Sequence, residues 1–299
     1  IYTTMLNFQI VSLLGEDVAG EESGSDSEDE AGMQRYRITM FGRSAKCKSI
    51  CVKTFFNPYF FVEIPEAYSN SQIDFLKTAL KKLLYKNAAS IKSMNVVKRQ
   101  KFYGFTNNEE FRFMRIVFFN HSSFKKVMYA LRKPLKLPTE LRKFVAYEAN
   151  IDPMLRFCHV QDIQTAGWVN VEKAKASFKE TYSDEEYTAI WSDIRPDPNP
   201  SIAPLVQASF DIETYSADGS FPDPKDESCP VIQVATTLQR YGESEPYKRQ
   251  LLSFGTCNPI ENVEVIECKT EAELLNKWAE TIQKEDADIL IGYNIWGFD

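Results

Sequence analysis

Asp211 and Glu213, in the stretch SFDIETYS, stand two residues apart in a run whose apolar residues alternate as those of a β-strand do. Successive side chains of a strand point to opposite faces, so this spacing puts both carboxylates on one face. Carboxylate oxygens are the hard ligands that Mg²⁺ and Mn²⁺ prefer, and two such ions about 3.5–4 Å apart can clamp a phosphodiester. A lone D-x-E is more often a solvated strand surface than a metal site, so context has to decide. Val206, Ala208 and Phe210 predict a strand buried on at least one face, where an unpaired carboxylate pair would be costly without a cation. The last residues read ILIGYNIWGFD, an apolar strand feeding a loop and a further acid, Asp299.

The elements around this pair read as a sheet-first α/β layout. Strands are expected at Val206 to Glu213, Val231 to Leu238, Lys248 to Phe254 and Val263 to Glu267. Thr270 and Glu273 suit a capping box for a helix running to about Lys284, and Asp288 to Gly292 reads as a final buried strand. Upstream, IRPDPNPSIAP carries four prolines, which neither a helix nor a central strand tolerates. It predicts a linker over residues 196–204 between a domain of residues 1–195 and another of 205–299.

In the first domain, Met5 to Leu14 and the alternating Tyr36, Ile38 and Met40 predict antiparallel strands joined by the Gly/Ser/acid-rich stretch 15–32, which cannot bury apolar surface and reads as a disordered loop. Apolar runs at Ser49 to Phe56 and Tyr59 to Ile64 are broken by Asn57-Pro58. Ile73, Leu76, Leu80, Leu83 and Leu84 form a helical stripe behind a capping box at Ser71 and Asp74. A strand at Phe111 to Phe119 and a second helix at Ser122 to Leu131 complete a small α+β sandwich. Lys98, Arg99 and Lys101 lie beside Tyr103 and Phe105, where cations can meet phosphate and rings can meet bases. A solvated basic edge is the alternative, and Trp168 and Trp191 read as core.

The bulk numbers set the class. With 299 residues the chain exceeds one ordinary core, and no apolar run approaches the roughly 18 residues of a membrane span. The sequence opens on Ile1 with no basic segment leading into an apolar core, so no secretory leader is expected. The net charge of −7 argues against a polyanionic partner only as an average. Glu16, Asp17, Glu21, Glu22, Asp26, Glu28, Asp29 and Glu30 lie in one stretch without a basic residue, which leaves +1 for everything else. Six scattered cysteines make no CxxC pair and predict free thiols in a reducing compartment. Cys47 and Cys51, four apart on an expected strand, would share a face but lack the further ligands of a zinc site.

On these residues the chain resembles family B DNA polymerases of the delta-like type. DIET at Asp211 to Thr214 is similar to their first exonuclease motif, and GYN…FD at Gly292 to Asp299 to their second. YGF at Tyr103 to Phe105, YEANI…LRF from Tyr147 to Phe157, and Gly167-Trp168 resemble landmarks of their N-terminal domain. The resemblance implies an α+β N-terminal domain with an OB-like or RRM-like sheet, followed by the first part of an α/β ribonuclease-H-like 3′-to-5′ exonuclease domain. It implies that Asp211, Glu213 and Asp299 coordinate two Mg²⁺ or Mn²⁺ ions. Asn294 and Phe298 would lie beside the 3′ end of a DNA strand, although a turn residue and a core residue explain them equally well.

The family's third motif, a Tyr and an Asp that supply another ligand and a water-orienting hydroxyl, is not found before Asp299, so this chain alone is expected to be nearly inactive. DNA synthesis would belong to a further part, as would contact with a sliding clamp. DNA is the implied partner, and the nucleus or a viral replication compartment is the implied location. The alternative is a single-stranded nucleic-acid-binding module with a degenerate exonuclease site.

Overall fold

The computed structural model describes residues 3–19, 33–102 and 104–297. In chain order the elements are β1 (Thr3–Ala19), β2 (Gln34–Arg43), β3 (Ser49–Phe55), β4 (Tyr59–Glu63), α1 (Asn70–Lys82), β5 (Ile91–Gln100), β6 (Glu110–Phe118), α2 (His121–Ala130), β7 (Leu135–Lys136), β8 (Leu141–Arg142), β9 (Ala146–Tyr147), α3 (Pro153–Gln161), β10 (Trp168–Ala176), β11 (Glu185–Thr188) and β12 (Ile194–Asp197). Then follow β13 (Val206–Thr214), β14 (Val231–Arg240), β15 (Lys248–Phe254), β16 (Glu264–Cys268), α4 (Glu271–Glu285) and β17 (Ile289–Ile291). The architecture is mixed α/β and rich in sheet. No helix among the described residues is long and apolar enough to cross a membrane.

Of the four sheets among the described residues, the β7-β8 pair is the smallest and the other three carry the structure. The first has the order β1-β2-β3-β11-β10-β12, with β1 also pairing β10. Phe8, Ile10, Ile38, Met40, Val52, Val169 and Val171 alternate inward from its strands and meet Phe157 of α3. Helix α3 starts at Pro153, where a missing amide costs nothing, behind the N-cap Asp152. The second sheet has the order β5-β6-β4-β9. Its even-numbered residues Phe60, Val62, Met114, Ile116 and Phe118 face Ile73, Leu76 and Leu80 of α1 and Phe124 and Val127 of α2. Leu76 and Leu80 are fully buried, each contributing about 1.5–3 kcal/mol.

Four expectations shift here. The capping box of α1 is Ser69 with Gln72, two residues before the expected pair: the Gln72 amide donates to Ser69 Oγ at 3.4 Å and the Ser69 amide to Gln72 Oε1 at 3.0 Å. Asp74 instead pairs with Lys77 at 3.1 Å. Residues 15–19 are strand rather than loop, because β1 keeps its register with β2 as far as Ala19↔Gln34. Glu16 there pairs with Arg37 at 2.8 Å, and residues 20–32 lie outside the described residues. Cys47 is on the β2–β3 turn with a φ of 62°, off the strand that buries Cys51, and all six cysteines are free. Pro196 and Asp197, expected in the linker, belong to β12, an edge strand whose free side tolerates a residue without an amide proton.

The third sheet has the order β16-β15-β14-β13-β17. Strands β13, β14 and β15 are successive antiparallel neighbours, and α4 then crosses back so that β17 lies parallel to β13. Thr270 caps α4 by accepting the Glu273 amide at 3.1 Å, as its sequence predicts, while the Glu273 carboxylate reaches the Lys269 amide at 2.8 Å. Helix α4 covers one face only: Trp278 packs on Phe210 with ring centroids 4.9 Å apart, and its Nε1 donates to Thr236 Oγ1 at 3.1 Å. Leu274 of the helix joins Val234 and Leu252 in the core beneath it.

Candidate functional site

The parity of β13 decides where its carboxylates go. Val206, Ala208, Phe210 and Ile212 face α4, so Ser209, Asp211 and Glu213 face the other way and are exposed. The apolar flank therefore does not bury the acid pair, contrary to the sequence expectation; it anchors the strand from behind. Asp211 and Glu213 sit about 7 Å apart along the strand, two residues of extended backbone. Among the described residues neither carboxylate has a hydrogen bond or an ion pair. Two unpaired like charges side by side favour a cation, and hard oxygen donors on an open face are the donor set that a divalent ion accepts. Across the ladder Asp211 is level with Ala235 and Glu213 with Gln233, so no bulky cross-strand neighbour covers Asp211.

On the other side β17 pairs with β13 through Gln207↔Ile289, Ala208↔Leu290 and Ser209↔Ile291. It is a short edge strand, with Leu290 and Ile291 45% and 43% exposed, rather than the buried strand expected. The chain leaves it level with Phe210. A Cβ on Gly292 would lie 2.3 Å from Ile295 Cγ2 and 3.2 Å from the Phe210 carbonyl oxygen, so glycine suits this close approach. Asn294 then takes a left-handed φ of 58° and accepts the Gly297 amide at 2.8 Å through its carbonyl. That is the turn role which asparagine fills readily. Phe298 and Asp299 lie outside the described residues. Among the described residues no group of three or more His, Cys, Asp or Glu suited to a metal occurs, and Asp211 and Glu213 stand as a pair.

Sequence reasoning missed Tyr293 and Trp296, 89% and 98% exposed in that same turn. The signal was available: aromatics in a short turn bounded by Gly292 and Gly297 are candidates for exposure, and no described element covers these two.

The N-terminal basic cluster divides. Lys98 and Arg99 are exposed at the end of β5, with no acidic partner among the described residues. Past them the hairpin tip shows Phe102 and Phe105 almost entirely to solvent, and Tyr103 lies outside the described residues. Lys101 is engaged within the chain: it pairs with Glu63 at 2.7 Å and lies 4.1 Å from the Phe111 ring centroid. Hydrogen bonds from Lys101 and Tyr147 hold the Glu63 carboxyl below its usual range, outweighing the burial that opposes its charge. Around them, the face of the second sheet opposite its helices is filled by its own rings. Phe113 packs edge-on to Phe61 and Tyr147, and Arg115 and Arg156 stack on Tyr59. Residues 59–147 contain seventeen Lys and Arg against six Asp and Glu, a surplus of eleven positive charges inside a chain of net −7.

Two family profiles match successive stretches of the chain. The profile of the DNA polymerase family B exonuclease domain matches residues 144–299, and that of the DNA polymerase delta catalytic subunit-like N-terminal domain matches residues 55–125. The DNA polymerase of Paramecium bursaria Chlorella virus NY2A is 33% identical over 275 residues, 92% of this chain and 29% of that protein. That of Acanthamoeba polyphaga mimivirus is 33% identical over 292 residues, covering 92% of this chain and 17% of the viral protein. The DNA polymerase delta catalytic subunit of Bos taurus is 28% identical over 284 residues, 88% of this chain and 25% of the bovine one. The chain thus spans less than a third of each of these relatives. The solved family B DNA polymerase from the archaeon Pyrobaculum calidifontis shares the fold with a TM-score of 0.65 at 17% identity, over 98% of this chain and 31% of that one. With more than half its residues matched by the exonuclease-domain profile, this chain belongs to DNA polymerase family B.

Proposed function

We propose that this chain supplies the N-terminal and exonuclease regions of a replicative DNA polymerase, and that its carboxylate face removes nucleotides from a DNA 3′ end. The observation that carries this is the placement of Asp211 and Glu213 on the open face of β13, unpaired, beside the turn that leaves β17. In this reading Asp211 and Glu213 hold divalent ions together with Asp299. Bound there, two Mg²⁺ or Mn²⁺ ions would supply an activated water and stabilise the leaving oxygen. The protein's own part is to hold both carboxylates on one rigid strand, backed by the Phe210–Trp278 contact. Tyr293 and Trp296 offer rings on which an unpaired terminal base can stack, with Phe298 a further candidate. Asn294 supports the turn that presents them.

The strand order β13-β14-β15, with α4 returning β17 parallel beside β13, supports a ribonuclease-H-like arrangement of residues 205–299. The β4-α1-β5-β6-α2-β9 sequence with sheet order β5-β6-β4-β9 supports an RRM-like unit in the N-terminal domain. Its positive surplus suits DNA phosphates, with Lys98, Arg99, Phe102 and Phe105 as the contact we favour over the ring-filled sheet face. DNA synthesis, a sliding-clamp partner, and action in a nucleus or viral replication compartment belong to the same proposal for the whole protein.

Titrating Mn²⁺ into the chain by calorimetry, alongside Asp211→Ala, tests the site. Uptake that Asp211→Ala abolishes supports it. No uptake by this chain or by one extended through the family's third motif, or uptake indifferent to the substitution, removes the exonuclease assignment and leaves the nucleic-acid-binding module.

A further inference from the structure

Both strands of the candidate site start at one buried ion pair reached from the other end of the chain. Arg43, the last residue of β2, is 3% exposed. Its Nε donates to Asp288 Oδ2 at 2.6 Å, its Nη2 to the Asp286 carbonyl at 2.6 Å and its Nη1 to the Cys47 carbonyl at 3.1 Å. The same Oδ2 of Asp288 accepts the amide of Val206, the first residue of β13, at 2.7 Å, and the Asp288 amide returns to the Val206 carbonyl at 2.8 Å. Asp288 immediately precedes β17, and Asp286, in the left-handed conformation, ends α4. Two short donors on one carboxylate oxygen are the geometry of an ionised pair, and the contact with Asp288 raises Arg43 against its own burial.

Strand β17 cannot hold itself. Three residues long, on a sheet edge and half exposed, it belongs to the class of element that opens locally at little cost. What fixes its root is the guanidinium fork, whose planar donors reach Asp288 and the carbonyls of Asp286 and Cys47 together, which a lysine cannot do. We infer that Arg43 is a positioning residue for the carboxylate site, setting β17 and the turn beyond it against β13 from the N-terminal sheet. This rests on the exonuclease reading for its consequence, but the geometric claim can be tested apart from it.

Arg43→Met alone strands the Asp288 charge and lowers the melting temperature. The double variant Arg43→Met with Asp288→Asn removes both charges, keeps an acceptor for the Val206 amide, and should melt close to the parent. We would measure melting, Mn²⁺ affinity, and amide exchange over residues 206–214 and 286–297 in parent and double variant. Restored melting with affinity about tenfold weaker and faster exchange confined to those two segments supports positioning. Restored melting with parental affinity and exchange overturns it, leaving a purely structural ion pair. If the parent takes up no Mn²⁺, exchange decides alone, with unchanged protection in the double variant overturning the positioning role, while the exonuclease reading is judged separately by uptake in the chain extended through the third motif.

Discussion

Asp17, near the far end of the long first strand, accepts the backbone amides of His121 and Ser122 at 2.7 and 2.8 Å, and the Ser122 hydroxyl at 2.6 Å. These are the first amides of α2, whose N-cap Asn120 takes the Ser123 amide at 2.8 Å. A carboxylate from one sheet thus completes the cap of a helix on another.

Asp17→Ala should destabilise the chain by about 1–2 kcal/mol, since it leaves two helix-terminal donors without an acceptor and removes a negative charge from the positive end of the helix. Urea unfolding checks this. A midpoint equal to the parent's would show that water replaces Asp17 at no cost.

The Lys53–Glu186 pair sets an acid limit. Burial opposes the Glu186 charge, but Lys53 at 2.9 Å, the Thr181 hydroxyl and the amides of Glu180 and Thr181 outweigh it and hold the carboxyl down at about 2. A folded value below the unfolded one means stability present above about pH 4.5 and lost as the pH falls toward 2, on the order of 1–3 kcal/mol. Melting curves between pH 6 and 2.5 should show that loss, and it should shrink in the double variant Lys53→Met with Glu186→Gln.

Asp211→Ala and Glu213→Ala should each leave the melting temperature of the metal-free chain within the scatter of ordinary surface substitutions, about 0.5 kcal/mol, because neither side chain has a partner to lose. The same substitutions should abolish any rise in melting temperature produced by Mn²⁺. A large destabilisation without metal would mean that the carboxylates are structural.

The basic hairpin offers a split. Lys98→Ala with Arg99→Ala should weaken binding of a fluorescent oligothymidine and reduce its salt dependence, by a slope of roughly one to two. Phe102→Ala with Phe105→Ala should weaken it further, about 1–3 kcal/mol for each ring that stacks on a base. Lys101→Ala should act mainly on stability through Glu63. If all three behave alike, the hairpin is not a discrete contact.

Much of the C-terminal region was legible before any coordinates. Strands β13 to β16 and helix α4 fall within a residue or two of their expected positions, because their apolar spacing, the Thr270 cap and the intervening turns all point the same way. The N-terminal capping box was misread because Ser71-x-x-Asp74 and Ser69-x-x-Gln72 offer the same local chemistry, and the apolar stripe of Ile73, Leu76 and Leu80 is compatible with either start.

From its sequence alone, the chain determined that Asp211 and Glu213 share a face, since alternation along a strand is a local property of the backbone. It could not determine which face. That was decided when α4 laid Leu274 and Trp278 over the even-numbered side of β13, leaving the acids in the open. Nor does any local pattern join Arg43 to Asp288, 245 residues apart. A strand's periodicity fixes where its side chains point, whereas their partners depend on which surfaces the whole chain must bury together.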